Sequence, residues 1–170
     1  MSGALLAGSG LYAFDSKNAK EGNMYCSRSG SKLPVLGDVD VLVIGGSGAG
    51  VSAAVNASKK GASVFLVTGF PYLGEDICGT WQMWNEATNS SSALAKSLWS
   101  NSTFRTPMFI KQTLDNALIE QNIPFLFNSI PTNILWDENE NPAGVIIANR
   151  SGEQVIKAKV IIDASHTASI

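Results

Sequence analysis

The first clear pattern of apolar and polar residues runs from 38 to 68 and predicts a strand, a helix and a second strand. Residues 39–44 are nearly all apolar, which is typical of a strand buried on both faces of a parallel sheet. Small residues follow at 45–50 and then recur at helical spacing, until two lysines and a glycine mark a helix end at 59–61. The second strand is predicted at 62–68, so the segment is a β-α-β unit.

The rest of the chain alternates helical and strand patterns. Leucines and a tryptophan at helical spacing predict a short helix within 85–102. Thr106 followed by a proline is typical of a helix start, and this helix is predicted to end near Gln121. Five strands are predicted after it, at 124–128, 132–137, 144–149, 154–159 and 160–165. The three strands between 132 and 159 are expected to form a β-meander that leads into the last strand.

Composition and charge limit the class of protein. The chain has 170 residues, of which 45% are hydrophobic and 15% charged, so one domain with one modest core is expected. Its net charge of -2 and the lack of a basic cluster exclude the footprint of a nucleic-acid-binding protein. No apolar run reaches the ~20 residues of a membrane-spanning helix. The single histidine cannot by itself make a metal site.

A glycine-rich turn joins the first strand to the first helix. Segment 45–50 fits the dinucleotide-binding pattern G-x-G-x-x-G at its first and last glycines but has Ser47 at the middle one. Ser47 is expected either to tolerate a wider approach of a phosphate or to direct its hydroxyl at a phosphate oxygen. Any tight strand-to-helix turn could show such glycines, but the flanking strands and helix favour a nucleotide site. The candidate residues are Gly45, Gly46, Ser47, Gly48, Ala49 and Gly50.

The end of the second strand departs from this pattern. An acidic residue that binds the ribose hydroxyls usually lies there, ~20 residues after the glycines. This chain has Thr68 at that place. Thr68 is included among the candidate residues, but the way in which the ribose is held stays open.

The loop after this strand carries a second signature, since residues 72–80 read YLGEDICGT. Together with the glycine turn, this loop resembles the N-terminal part of FAD-dependent oxidoreductases of the glutathione-reductase-like superfamily, in particular the FAD-oxidoreductase group. The resemblance covers residues 38–170, with Thr68 as a departure. It implies FAD as the cofactor and an α/β, Rossmann-like FAD/NAD(P)-binding fold, in which a parallel sheet carries a three-stranded β-meander.

The resemblance also implies which residues lie along the cofactor. In the loop they are Gly74, Glu75, Asp76, Cys78 and Gly79. After the last strand, the residues that match the family are Asp163, Ala164 and Ser165, at a strand end that lies near the nucleotide in relatives.

Four chemically active side chains have more than one interpretation. Cys78 is either a redox or flavin-linking thiol or a small buried side chain, and the second is favoured. Glu75 and Asp76 are either a general-acid pair or a solvated or helix-capping pair. His166 is either an acid beside the flavin or a structural or solvated residue. No catalytic residue and no metal ligand is assigned.

The favoured function is the FAD-binding portion of an oxidoreductase that transfers hydride or electrons through FAD. Two alternatives stay open: an NAD(P)-binding Rossmann enzyme, and a non-catalytic fragment or subunit that needs a partner chain. The family continues beyond the matched segments, so further polypeptide, downstream or in a second chain, is expected to complete the domain. The small-molecule substrate is left open.

The N-terminal residues follow a different pattern. Residues 1–19 resemble the apolar core of an export signal, as in twin-arginine leaders, although the positively charged start is missing. Residues 20–37 are rich in serine, glycine and lysine and are predicted to be a linker or an arm. The chain is thus divided into 1–19, 20–37 and an FAD-binding domain at 38–170. Export to the periplasm or the exterior is expected, with the cytoplasm as the alternative.

Overall fold

The computed structural model describes residues 25–28, 31–85, 92–100, 103–137 and 139–168. The strands are β1 Tyr25–Arg28, β2 Ser31–Ile44, β3 Val64–Val67, β4 Phe125–Leu126, β5 Ile130–Trp136, β6 Pro142–Asn149 and β7 Gly152–Asp163. The helices are α1 Gly48–Lys59, α2 Ala93–Trp99 and α3 Pro107–Ile119, and a π-helical turn spans Glu75–Gly79. The predicted export signal at 1–19 lies outside the described residues and stays a prediction.

One mixed sheet organises these elements, with the strand order β4-β3-β2-β7-β6-β5 and β1 paired with β2. Strands β2, β3, β4 and β7 run parallel, whereas β5, β6 and β7 form an antiparallel meander. From β2 the chain moves outward to β3 and β4, then returns to place β7 on the other side of β2. Ligands of open α/β sheets bind at such a switch point. The predicted Rossmann-like fold with its meander is confirmed.

The carboxyl end of β2 is buried on both faces, as the sequence predicted for this strand. Leu42, Val43 and Ile44 are each 2% exposed or less. Val43 belongs to the larger core cluster, in which the apolar faces of α1 and α3 pack against the sheet. Leu42 and Ile44 belong to a second cluster on the other face, together with apolar residues of β6 and β7. Alternate side chains of one strand therefore supply two cores.

Helix α3 begins where the sequence predicted, because Thr106 Oγ1 accepts the backbone N–H of Phe109 at 3.3 Å and a proline occupies the first turn. Its buried face consists of Ile110, Leu114 and Leu118, all fully buried. This face contacts the loop that leaves β3, so α3 helps to position that loop.

Two sequence predictions are corrected by the sheet. The strands predicted at 154–159 and 160–165 form one continuous strand, β7, which ends at Asp163. It is continuous because its first half pairs with β6 while its second half extends along β2. The segment 20–37, predicted to be a linker or an arm, contains β1 and the first half of β2 in its described part. These strands form an antiparallel hairpin, and Leu33 is buried against residues of the meander.

Candidate nucleotide-binding site

The glycine turn lies at the carboxyl end of β2, beside the end of β7. Gly45 has φ of 111° and donates its N–H to Val67 O at 2.8 Å, while Ala164 donates its N–H to Ile44 O at 2.7 Å. A Cβ on Gly45 would collide with the backbone of Ala164, and one on Gly50 would collide with the carbonyl oxygen of Gly45. Both positions therefore require glycine, the first for its conformation and both for close backbone packing.

Ser47 uses its hydroxyl within the protein. Its Oγ accepts the N–H of Gly50 at 3.1 Å and donates to Ala164 O at 3.1 Å. It is the N-cap of α1 and also joins the turn to the end of β7. The hydroxyl is thus bonded to two protein groups, and the two roles considered for Ser47 towards a phosphate stay predictions.

The first residues of α1 present an N-terminus that holds an anion from the chain itself. Both carboxylate oxygens of Asp76 accept the N–H of Gly48, at 3.1 and 3.2 Å. Ala49, the next residue, has an exposed side chain. A helix N-terminus favours negative charge because its amides are free and its dipole is positive there. The position of Asp76 shows this preference directly.

Thr68 lies against the glycine turn but does not line the cavity beside it. Its side chain is 2% exposed, and Oγ1 accepts the N–H of Phe70 at 3.2 Å. A Cβ on Gly46 would lie 3.1 Å from Thr68 Cβ. The hydroxyl of Thr68, a candidate cofactor-binding residue from the sequence, is thus buried and bonded to the loop.

The π-helical turn is anchored next to the glycine turn. Gly74, at φ 78°, donates its N–H to Gly46 O at 2.7 Å. A Cβ on Gly74 would lie 2.8 Å from Leu114 Cδ1 of α3, so glycine is needed for both conformation and space. This contact chain fixes the residues that follow Gly74 at the edge of the site.

Glu75 is a buried carboxyl group in that turn. Its side chain is 8% exposed, and Oε2 has no hydrogen-bond partner among the described residues. The backbone N–H groups of Glu75 itself and of Gly46 lie near the carboxyl group. Burial is the main cause that raises the pKa of Glu75; the charge of Asp76 raises it further, while those two N–H groups and His166 oppose the shift.

These groups surround a cavity of about 410 Å³ at the switch point between β2 and β7. Six predicted residues line it: Ser47, Glu75, Asp76, Gly79, Ala164 and Ser165. His166, which has two interpretations in the sequence, also lines it and is exposed. The buried Ser165 Oγ, like Glu75 Oε2, has no partner in the described part of the chain. A polar ligand in this cavity would supply the hydrogen-bond partners that these two buried atoms lack.

The remaining predicted residues shape the site or face elsewhere. Asp163 Oδ1 accepts the N–H of Ser165 at 2.9 Å and so orders the end of β7. Cys78 donates its Sγ–H to Pro107 O at 3.8 Å and packs at the margin of the larger core. Burial is the main cause that raises the pKa of Cys78. Its thiol is therefore directed at α3 and does not line the cavity.

Two lining residues, Phe70 and Thr80, are not among the sequence candidates. Thr80 closes the YLGEDICGT signature, so its place in that motif could have indicated it. Phe70 is 45% exposed in the loop after β3, and nothing in the sequence pattern distinguishes it.

Within the described segments, no three His, Cys, Asp or Glu side chains come close enough to hold a metal ion. The helices of the same segments are all too short or too polar to cross a bilayer.

Comparison with known families gives one match. The model of the family described as FAD dependent oxidoreductase matches residues 40–170. A search of curated proteins found no match.

Three solved structures show the same fold. The open conformation of a flavocytochrome c3 fumarate reductase aligns with a TM-score of 0.57 and 21% identity, over 76% of this chain and 34% of that one. A geranylgeranyl bacteriochlorophyll reductase-like protein from Thermoplasma acidophilum aligns with a TM-score of 0.55 and 17% identity, over 76% of this chain and 40% of that one. OTEMO in complex with FAD and NADP aligns with a TM-score of 0.51 and 21% identity, over 74% of this chain and 25% of that one. The chain thus spans about a third of the first structure and less than half of the others.

Proposed function

Because the chain belongs to the FAD dependent oxidoreductase family, as its sequence resemblance predicted, we propose that it holds the adenosine diphosphate half of FAD at the switch point between β2 and β7. The complete protein is then an oxidoreductase that acts on a small molecule. The bound flavin would supply the hydride or electron transfer, and the protein would supply its placement and surroundings.

The observation that carries this proposal is the cavity beside the glycine turn. Gly45 and Gly50 admit no Cβ, so the turn stays narrow and brings the backbone close to a ligand. The adjoining cavity contains Glu75 Oε2 and Ser165 Oγ, both buried and unpartnered within the described residues. A dinucleotide has a diphosphate that would bind at the narrow turn. Its hydroxyl groups would form hydrogen bonds with the two unpartnered oxygen atoms. The residues present therefore fit FAD.

Different residues of this chain would contact different parts of the bound FAD or support the turn beside it. The N-terminal amides of α1 would hold the diphosphate, in the place where Asp76 now bonds to Gly48. Ser47 would keep the turn joined to Ala164. Gly79 and Thr80 would border the path that leaves the cavity.

Further polypeptide is part of the proposal. The chain spans 34% of the fumarate reductase structure, so in a protein of that size most of the surroundings of the flavin and substrate would come from other segments. Export of the protein is likewise a proposal, supported only by the apolar pattern of residues 1–19.

The absorption spectrum of the full-length gene product tests the proposal. A flavoprotein shows a band at about 450 nm and a yellow colour, whereas an NAD(P)-binding enzyme does not. Gly50→Val places a branched side chain against the Gly45 carbonyl and should abolish the band. Gly69→Ala is the matched control, because its Cβ would make only an ordinary contact, 3.8 Å from Ile130 Cγ1. A colourless parent after reconstitution with FAD, or an unchanged band in Gly50→Val, would reject the proposal.

A further inference from the structure

Glu75 has a feature that diphosphate binding leaves unexplained: a carboxylate oxygen that is buried at the cavity and has no partner in the described part of the chain. We propose that Glu75 is the ribose-binding acid of this protein, and that its carboxylate accepts hydrogen bonds from the adenosine ribose hydroxyls of FAD. This inference rests on the proposed function and assigns a residue that sets its specificity.

The usual position for such an acid is already occupied by another group. In Rossmann folds the acid follows the second strand, where this chain has Thr68. Thr68 is buried, and its hydroxyl is bonded to the N–H of Phe70. It therefore presents no charge to a ribose, and its buried hydroxyl does not line the cavity.

Glu75 reaches the same glycine from another element. Thr68 packs against Gly46, whose added Cβ would lie 3.1 Å from Thr68 Cβ. The backbone N–H of Gly46 lies near the carboxyl group of Glu75 and opposes the rise in its pKa. The carboxyl group thus lies at the turn that the strand-end acid would normally approach, although it comes from the π-helical turn that follows Thr68 in the sequence.

The chemistry of the carboxyl group suits vicinal hydroxyls. Two backbone N–H groups lie near it, and its buried Oε2 is available as an acceptor. A buried carboxylate oxygen without a donor is costly, and a ribose hydroxyl would supply that donor. A negative charge at this position also disfavours a 2′-phosphate, so the site would select FAD over a ligand of the NADP type.

The neighbouring acid has a different role. Asp76 is exposed, and both of its oxygens bond to the N–H of Gly48 at the start of α1. It lies at the expected diphosphate position, whereas Glu75 lies at Gly46. Asp76→Asn is therefore a matched control that neutralises the adjacent residue of the same turn.

The test compares two ligands on the full chain. FAD and an FAD analogue that lacks the 2′-hydroxyl of the adenosine ribose are titrated by flavin fluorescence into the parent, Glu75→Met, Glu75→Gln and Asp76→Asn. In the parent the analogue should bind about tenfold weaker, since a hydrogen bond to a charged group is lost. In Glu75→Met, which keeps the length but removes the acceptor, both ligands should bind equally within about threefold. Glu75→Gln should fall between these two, and Asp76→Asn should keep the ratio of the parent.

Three outcomes overturn the inference, and they are distinguishable. A parent that binds FAD but does not discriminate against the analogue shows that Glu75 does not hold the 2′-hydroxyl. A Glu75→Met protein with the ratio of the parent shows that another group does. A parent that binds neither ligand rejects the proposed function, and this inference with it. Because each ratio compares two ligands on the same protein, a change in the stability of one variant does not mimic the expected result.

Discussion

Asp76 accepts the N–H of Gly48 with both of its carboxylate oxygens, at 3.1 and 3.2 Å. The bond joins the π-helical turn to the N-terminus of α1, at the place proposed for the diphosphate. A carboxylate of the chain therefore occupies the anion position, and a bound diphosphate would have to displace it or share the amides with it.

We predict that Asp76→Asn strengthens FAD binding and weakens the fold. Loss of a negative charge beside the diphosphate removes about 1 kcal/mol of repulsion in a solvated site, which corresponds to roughly fivefold in Kd. The neutral amide is a weaker partner for the Gly48 N–H, so the free energy of unfolding should fall by about 0.5–1 kcal/mol. Flavin fluorescence and urea unfolding measure the two effects. Weaker FAD binding by the variant would contradict the prediction.

Asp137→Asn is the control for this change. Asp137 Oδ1 also accepts backbone N–H groups, from Asn139 and Asn141 at 2.8 Å each, but it lies outside the cavity. These bonds hold the pKa of Asp137 below its ordinary value. Its neutralisation should weaken the turn and leave the Kd for FAD unchanged. An equal gain in FAD affinity in both variants would show a general charge effect.

A second prediction concerns the glycine that starts the π-helical turn. Gly74→Ala introduces strain at φ 78° and a Cβ that would lie 2.8 Å from Leu114 Cδ1. The combined cost should be about 2–4 kcal/mol of unfolding free energy. The turn would also shift relative to Gly46, so the Kd for FAD should rise. Urea unfolding and FAD titration check the two parts.

Gly61→Ala separates strain from packing in that experiment. Gly61 has a similar φ of 89°, but a Cβ there would have no heavy atom within 4 Å. The Gly61→Ala variant should therefore lower the free energy of unfolding by only about 1–2 kcal/mol and leave FAD binding intact. If both alanine variants lose the same stability, contact between Gly74 and α3 does not position the turn.

A third prediction follows from the burial of Glu75. Burial is the main cause that raises its pKa above the ordinary 4.5, with Asp76 adding to the shift while backbone N–H groups and His166 oppose it. Because the folded-state pKa is raised, the stability that Glu75 contributes is present at low pH and is lost as the pH rises through that pKa. Glu75→Gln should therefore unfold at a higher temperature than the parent at neutral pH. This difference should shrink towards zero as the pH falls to about 4.

Asp115→Asn is the matched control, because it should change the stability of the protein but not its affinity for FAD. Burial also raises the pKa of Asp115, whose Oδ1 lacks a partner in the described residues, but it lies on α3 away from the cavity. Both variants should be stabilised at neutral pH, and only Glu75→Gln should lose FAD affinity. A Glu75→Gln protein that is less stable than the parent at neutral pH would contradict the predicted sign.

Local sequence rules identified the glycine turn and the start of α3 because both depend on neighbouring residues. The G-x-G-x-x-G spacing places Gly45 and Gly50 where added atoms would collide, and Thr106 caps its own helix. The glycine turn accommodates Ser47 at the middle position of this pattern for a local reason as well, since the Ser47 hydroxyl accepts the N–H of Gly50 three residues later.

The features that the sequence did not predict depend on distant partners. The segment 31–37 has the composition of a linker, yet it is a strand because it pairs with β1 and continues onto β7. The approach of Glu75 to Gly46 requires a left-handed Gly74 and the packing of α3 beneath it. Neither contact leaves a periodic signal, so the role of Glu75 could be inferred only from the structure.

The last prediction is that the flavin is held without a covalent bond to Cys78. The Cys78 thiol donates to Pro107 O, and it is absent from the residues that line the cavity. Burial raises its pKa, so little of the nucleophilic thiolate is present at neutral pH. Acid precipitation of the parent should therefore release the flavin into the supernatant, and Cys78→Ser should behave identically. Flavin that remains in the precipitate of the parent but is released from Cys78→Ser would establish the covalent link, and would require α3 to move away from the thiol.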